Sequence, residues 1–261
     1  MTASPPETTL DTVRTWVAQA ERLCVLTGAG VSAASGVPTF RDAQTGYWAQ
    51  FRAEDMASAA GFRANPGRVW QWYQHRKALI AAVQPNAAHH ALAQWSLQHP
   101  GAMTLVTQNV DGLHQRAGST DVLCLHGDLW QDRWLNPTCP QCNADVLTDG
   151  EPPACPCCGN LRRPGVVWFG EMLPGRVLAN AQAAAEACDV LLVVGTAGVV
   201  YPAAGLAQLA RRCGRRVVVL NTAATDLDSV ADAVLRGPAT SSLPAVLLSD
   251  EGEGLQPAVW Y

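Results

Sequence analysis

A loop of small residues offers the first recognisable chemistry in this sequence. The apolar run at 23–26 predicts a buried strand, and the residues at 28–33 follow it with the G-x-G-x-x-A spacing of a dinucleotide-binding turn. Small residues there let backbone amides approach a pyrophosphate. A long helix would usually follow, but the Gly-Val-Pro sequence at 36–38 breaks it. The loop therefore predicts a variant phosphate-binding turn that leads into a polar segment containing Arg41 and Asp42.

Polar side chains follow two further predicted strands. Gln108, Asn109 and Asp111 come just after the apolar run at 103–106 and supply two amides and a carboxylate to one pocket. His126 follows another apolar run, and an imidazole with a pKa near neutrality can accept a proton. Because ligands bind at the carboxyl ends of the strands in a doubly wound sheet, these residues predict a reaction centre. An Asn-x-Asp cap and a hydrogen-bonded strand-end histidine are the structural alternatives.

Two close pairs of cysteines predict a metal site. Cys139 and Cys142 form one C-x-x-C pair, and Cys155 and Cys158 form a second. Four thiolates give the tetrahedral sulfur set that Zn²⁺ prefers, and a site closed by four protein ligands is structural. Cys157 lies inside the second pair and could replace a neighbour as ligand. Free or disulfide-linked cysteines are the alternative.

A phenol and a guanidinium lie three residues apart in the aromatic segment at 70–77. On a helix Tyr73 and Arg76 project from one face. They can therefore converge on one anion, and arginine binds a carboxylate through two parallel charge-assisted hydrogen bonds. The alternative is an amphipathic helix with a packed tyrosine and a solvated arginine.

Strands that alternate with helices must position these groups. Apolar runs typical of buried strands lie at 23–26, 103–106, 122–125, 190–194, 217–220 and 245–248. Helical segments lie at 9–21, 87–98, 176–188 and 203–213. This alternation predicts an α/β fold with a doubly wound, Rossmann-like parallel sheet covered by helices on both faces.

Two intervals interrupt the alternation and predict a smaller lobe. Residues 46–83 are rich in aromatic residues and arginine and form a helical insertion, whereas residues 134–163 hold five cysteines and form a zinc ribbon. We expect one compound domain over 1–261. Its larger lobe then comprises 9–45, 84–133 and 164–248, and the tail at 249–261 has no assignable pattern.

Composition limits the partners. The chain has 261 residues and a formal charge of −4, so a broad basic surface and direct nucleic-acid binding are not expected. The N-terminal residues lack the pattern of a signal peptide, and no apolar stretch approaches about 18 residues. We expect a soluble, cytoplasmic protein without a membrane partner.

The ordered set of motifs resembles the sirtuins, the NAD-dependent protein-lysine deacylases. The first loop, Thr107–His114, the Leu-His-Gly sequence at 125–127 and the four cysteines occur in the family's order, and the resemblance covers about 9–248. It implies NAD as a consumed co-substrate, one structural zinc ion, and acyl-lysine proteins or peptides as partners. In the family's reaction the acyl oxygen attacks the ribose carbon that bears nicotinamide. The histidine of Leu-His-Gly, here His126, then acts as general base on the ribose hydroxyls, and water finally releases lysine and O-acyl-ADP-ribose.

The resemblance assigns roles to individual residues. His126 and Asn109 match catalytic positions, and Asn109 with Asp111 holds the nicotinamide ribose and carboxamide. His114 is expected to be structural. The family often has serine where Ala197 stands, so fewer side-chain contacts to the adenine ribose are expected. The residues that match the family's cofactor contacts are Gly28, Ala29, Gly30, Ser32, Phe40, Arg41, Gln108, Asn109, Asp111, Gly195, Thr196, Ala197, Asn221 and Ala239.

The resemblance also indicates a substrate site. The segment at 166–171 matches the sirtuin segment whose backbone pairs with an extended substrate peptide. In the branch that removes succinyl, malonyl and glutaryl groups, a Tyr-x-x-Arg pair holds the distal carboxylate, and Tyr73 and Arg76 match that pair. The substrate-binding residues are therefore Tyr73, Arg76, Val166, Val167, Phe169, Gly170 and Glu171.

The resemblance predicts NAD-dependent removal of succinyl, malonyl and also acetyl groups from protein lysines. A mono-ADP-ribosyltransferase that sends the same ribose intermediate to a side chain is the second hypothesis. The third is an NAD-binding or zinc-ribbon interaction module without turnover.

Overall fold

Two sheets contain the strands of the computed structural model, which describes residues 9–37, 52–143 and 147–248. The strands are β1 (Leu23–Thr27), β2 (Met103–Thr107), β3 (Leu123–Cys124), β4 (Gly127–Trp134), β5 (Arg162–Val166), β6 (Val190–Val194), β7 (Arg216–Asn221) and β8 (Ala233–Arg236). Six of them form one sheet in the order β3-β2-β1-β6-β7-β8, and every pairing in it is parallel. β4 and β5 form a separate antiparallel pair.

Helices cover both faces of the parallel sheet, as predicted. They are α1 (Thr9–Ala18), α2 (Ala53–Met56), α3 (Ala59–Ala64), α4 (Pro66–Ala81), α5 (Ala87–Gln98), α6 (Leu113–Arg116), α7 (Gly175–Ala187), α8 (Gly205–Arg212) and α9 (Ala239–Leu247). Alternate residues of β1 face opposite cores, because Leu23 packs with α1, α5 and α9, whereas Leu26 packs with α7 and α8. Across the described part of the chain, no helix combines the length and hydropathy needed to cross a membrane.

The prediction of a strand at 245–248 is wrong. Residues 245–248 do not join the sheet, because Ala245 to Leu247 complete helix α9 and the sixth strand is β8. Leu243, Val246 and Leu247 all face the core, and their spacing of three and four residues is helical. A run of four apolar residues fits a strand or one buried helix turn equally well, and only the preceding turns decide between them.

The smaller lobe has a core of its own. Phe62 of α3, Trp72 of α4 and Leu129 of β4 are fully buried there together with Trp168. Asn65 accepts a hydrogen bond from the Arg68 amide and begins α4 just before its first-turn proline. The β4–β5 pair, which the sequence did not predict, flanks the cysteine segment and connects it to this core.

Candidate functional site

His126 and the predicted cofactor contacts that the structure describes lie in or next to loops at the carboxyl edge of the parallel sheet. The sheet is built outward from β1. β2 and then β3 are added on one side of it, and β6, β7 and β8 are added on the other. This reversal of strand order makes the β1/β6 boundary the switch point at which doubly wound sheets bind ligands. The loops after β1 and β6 meet there, and those after β2, β3, β7 and β8 flank them.

Glycines let the loops after β1 and β6 pack against each other. The Gly30 amide donates to the Gly195 carbonyl at 2.8 Å. A Cβ atom on Gly28 would lie 2.7 Å from the Thr196 Cβ, and one on Gly30 would lie 2.7 Å from the Gly195 Cα. Gly195 also has φ +60°, which favours glycine. The G-x-G spacing thus serves loop packing here, and the exposed Ala29 and Gly30 remain predicted pyrophosphate contacts.

Ser32 brings three predicted cofactor contacts together. Its buried hydroxyl donates to the Asp111 carboxylate at 2.8 Å and accepts from the Asn109 amide at 3.2 Å. The same Asn109 nitrogen donates to the Gly28 carbonyl at 3.2 Å. Asp111 also accepts from the Leu113 amide. The first loop and the loop after β2 therefore form one hydrogen-bonded unit.

His89, which is not among the predicted site residues, supports this unit. The Asn86 amide donates to Nδ1 of His89 at 3.2 Å, so Nε2 carries the proton and faces the Ser32 hydroxyl at 3.3 Å. Burial lowers the pKa of His89 to about 4, so the ring is neutral at physiological pH. The pattern in the sequence that indicates His89 is a capping box, in which Asn86 is the N-cap of α5 and His89 is its third residue.

His114 is a second buried imidazole beneath the site. Its Nε2 lies 2.9 Å from the Thr27 hydroxyl, which donates to the Thr107 hydroxyl at 2.8 Å. The His114 and His89 rings meet edge to face at 4.9 Å. Burial lowers the pKa of His114 to about 3. These contacts agree with the structural role expected for it.

Replacing His114 with glutamine is expected to flatten the pH dependence of stability. Burial lowers the pKa of this group from 6.5 to about 3, so between those values the unfolded chain binds more protons than the folded chain. The free energy of unfolding then falls as pH falls, by at most about 1.4 kcal/mol per pH unit for one proton. Glutamine keeps an N–H group near Thr27 and cannot titrate.

Urea unfolding between about pH 5 and 7 measures this slope. His90→Gln, on the exposed side of α5, is the matched control. A His114→Gln slope equal to that of the wild type would contradict the prediction.

His126 has the geometry of a general base. Its Nδ1 lies 2.9 Å from the Gln108 carbonyl, which can only accept, so Nδ1 carries the proton and Nε2 keeps its lone pair. Burial lowers the pKa of His126, and the bond to Gln108 opposes this. The half-buried ring is therefore neutral at physiological pH and can accept a proton at Nε2.

Hydrogen bonds extend from Gln108 to the predicted adenosine contacts. The Gln108 amide donates to the Thr196 hydroxyl at 3.1 Å, and the Asn221 amide donates to the Thr196 carbonyl at 2.9 Å. Ala197 is exposed, and Ala239 begins α9 directly after the turn that follows β8. Their cofactor roles remain predictions. Phe40 and Arg41, the other predicted contacts, lie outside the described residues.

Tyr73 and Arg76 lie inside the smaller lobe. Both belong to α4, and their side chains are 3% and 9% exposed, which excludes the alternative of a solvated arginine. The Arg76 guanidinium carbon lies 5.0 Å from the centroid of the Trp72 ring. Desolvation lowers the pKa of Arg76, while Tyr73 and Asp111 favour its charge. The helix thus presents a buried phenol and a buried cation.

The predicted peptide segment at 166–171 contacts both Tyr73 and the backbone of His126. The Val167 amide donates to the His126 carbonyl at 2.8 Å, and the Phe169 amide donates to the Ala57 carbonyl at 2.9 Å. Gly170 has φ +82°, and the Phe169 ring is 57% exposed. Phe169 therefore offers an apolar surface beside the His126 loop.

The Glu171 side chain is engaged within the fold. Its carboxylate pairs with Arg133 at 2.7 Å and Arg163 at 2.5 Å, and accepts from the Trp168 amide at 2.8 Å. These bonds hold the end of the predicted peptide segment. Any substrate contact from Glu171 would have to compete with them.

The four predicted cysteines form one sulfur cluster. The Sγ atoms of Cys139 and Cys142 lie 3.6 Å apart, as do those of Cys142 and Cys158, while those of Cys139 and Cys155 are 3.8 Å apart. Tetrahedral zinc with bonds of about 2.3 Å places its sulfur ligands about 3.8 Å from one another. The geometry fits zinc and resolves the ambiguity in the second pair, since Cys157 is exposed and outside the cluster.

Comparisons with known proteins agree with this architecture. The profile of the Sir2 family matches residues 28–202. An NAD-dependent protein deacylase of Ralstonia nicotianae is 56% identical over 90% of this chain and 94% of its own length. NAD-dependent protein deacylase 1 of Pseudomonas aeruginosa is 48% identical over 88% of this chain and 95% of its own. A crystal structure of a Sir2 homolog–NAD complex superimposes with a TM-score of 0.79 and 42% identity, covering 91% of this chain and 92% of that one.

Proposed function

This chain belongs to the Sir2 family as an NAD-dependent protein deacylase, and we propose that it removes succinyl and malonyl groups from lysine in addition to acetyl groups. The observation that carries the acyl preference is the buried Arg76 guanidinium beside the buried Tyr73 phenol. A guanidinium and a phenol can both donate hydrogen bonds to one carboxylate, and arginine binds a carboxylate through two parallel charge-assisted bonds. A succinyl or malonyl group ends in such a carboxylate, whereas an acetyl group ends in a methyl group.

The chain's own residues supply binding and proton transfer. Bound NAD provides the electrophilic ribose carbon from which nicotinamide departs. Asn109, Asp111 and Ser32 form the polar unit that holds the nicotinamide ribose and carboxamide. His126 accepts a proton from the ribose hydroxyls at Nε2, because Nδ1 is held by Gln108. The exposed Phe169 ring and its segment receive the substrate peptide.

The four-cysteine cluster has a supporting role. Zinc bound by these thiolates has no open position, so it contributes to folding and not to the reaction. The cluster lies on the segment between β4 and β5, and those strands lead to the His126 loop and to residues 166–171.

Arg76→Met is expected to abolish most desuccinylation and to spare deacetylation. Removing one partner of a buried, hydrogen-bonded charge pair costs about 2–5 kcal/mol, so kcat/KM for a succinyl-lysine peptide should fall about 30-fold or more. The acetyl-lysine form of the same peptide makes no contact with the guanidinium, and its kcat/KM should change by about threefold or less. Lysine release with saturating NAD measures both values.

Arg68→Met provides the matched control, since it makes the same change at an exposed position of α4. Equal losses on the two peptides in Arg76→Met would contradict the acidic-acyl pocket, as would desuccinylation that is indifferent to Arg76. Deacetylation would then stand as the activity of this site.

A further inference from the structure

We propose that Trp168 is a positioning residue for the acyl pocket, whose indole N–H fixes the Tyr73 phenol so that the phenol proton faces the acyl carboxylate. This inference rests on the proposed removal of acidic acyl groups. Trp168 lies within the predicted peptide segment but belongs to none of the predicted contacts.

The hydrogen bond between the two side chains is direct and buried. Trp168 Nε1 donates to the Tyr73 hydroxyl oxygen at 3.0 Å, and the two residues are 1% and 3% exposed. An indole N–H can only donate, so the phenol oxygen accepts here. The phenol's own proton must then point away from Trp168. Burial raises the pKa of Tyr73 to about 12, which keeps that proton on the oxygen at physiological pH.

The indole ring of Trp168 is fixed from several sides. The Phe62 ring packs against it with centroids 5.2 Å apart, and the Arg163 guanidinium carbon lies 3.2 Å from the indole centroid. The Glu171 carboxylate accepts from the Trp168 amide and pairs with Arg163. The ring cannot turn without breaking these contacts. The direction of its N–H, and with it the orientation of the phenol, is therefore set by the fold.

The side chains of Trp168 and Phe169 point to opposite sides of the segment and so have different roles. Neighbouring side chains of an extended segment point to opposite sides. Phe169 is 57% exposed, on the side proposed for the peptide, whereas Trp168 points into the smaller lobe and reaches Tyr73. The segment at 166–171 would thus bind the peptide on one side and orient the Tyr73 phenol, which binds the acyl chain, on the other.

Trp168→Phe tests the inference because it removes the N–H donor and keeps an aromatic ring. Loss of one neutral hydrogen bond predicts a fall of about fivefold to tenfold in kcat/KM for the succinyl peptide, mainly through KM. The acetyl peptide should change by about twofold or less. Trp95→Phe, at a buried position in α5 of the larger lobe, is the matched control for loss of an indole.

A double-mutant cycle with Tyr73→Phe separates positioning from general damage. In the Tyr73→Phe background the phenol is gone, so Trp168→Phe should cause no further selective loss on the succinyl peptide. Equal losses on both peptides, or an undiminished selective loss in that background, would overturn the role of Trp168.

Measuring desuccinylation by the wild type and by Arg76→Met shows whether a negative result for Trp168→Phe concerns Trp168 alone or the proposed function as well. Desuccinylation that depends on Arg76 but not on Trp168 would remove the positioning role alone. Desuccinylation that is absent or independent of Arg76 would overturn both proposals.

Discussion

His126→Ala is expected to lower lysine release by about 10²- to 10⁴-fold on succinyl and acetyl peptides alike, the range that a positioned general base contributes. The reason is geometric. The Gln108 carbonyl holds Nδ1 at 2.9 Å, so Nε2 is the nitrogen left to take the ribose proton, and alanine offers no substitute. Both acyl chains depend on this proton transfer, so the ratio of the two activities should stay near its wild-type value.

Nicotinamide exchange shows which step of the reaction is slowed in His126→Ala. Departure of nicotinamide requires no proton transfer to His126, so labelled nicotinamide should still exchange into NAD in the variant when an acyl peptide is present. His90→Ala, on the exposed side of α5, controls for loss of an imidazole. Lysine release at the wild-type rate in His126→Ala would show that another group is the base.

Cys142→Ser is expected to release zinc and destabilise the smaller lobe. The Cys142 sulfur is buried and lies 3.6 Å from the sulfurs of both Cys139 and Cys158. Structural zinc in small domains contributes about 10–16 kcal/mol of apparent binding free energy, so loss of one ligand should lower Tm by about 10 °C or more. Metal analysis and thermal unfolding measure the two effects.

Cys157→Ser is the matched control, because this thiol is exposed and outside the sulfur cluster. It should keep one zinc ion per chain and the wild-type Tm. Zinc lost from Cys157→Ser and kept by Cys142→Ser would refute the ligand set.

The elements that the sequence predicted best are those whose signal is local. β6 was predicted to the residue, because a central parallel strand buried on both faces is a continuous apolar run. α5 was likewise predicted as Ala87–Gln98, where an asparagine cap precedes the first turn. α9 was missed because the four apolar residues at 245–248 show no helical or strand periodicity by themselves. β8 was missed because it has only four residues and ends in an exposed arginine.

The positions of the polar residues in the site could be predicted from the sequence. The buried residues that hydrogen-bond to them and hold them in place could not. Asn109 and His126 follow apolar runs, so their place at the sheet edge can be read directly. His89 meets Ser32 across 57 residues and Trp168 meets Tyr73 across 95 residues. Such contacts depend on how whole helices pack, and no spacing in the sequence encodes them.

The bond from the Val167 amide to the His126 carbonyl limits how the enzyme can open and close. Immediately beyond it, Gly127 pairs with Val166, so the catalytic loop and the peptide segment form one body. Any hinge between the two lobes must therefore lie elsewhere, in connections that leave this body intact. With the roles proposed above for His126 and for residues 166–171, the separation between the proposed base and the substrate lysine would stay the same in any motion that keeps these bonds.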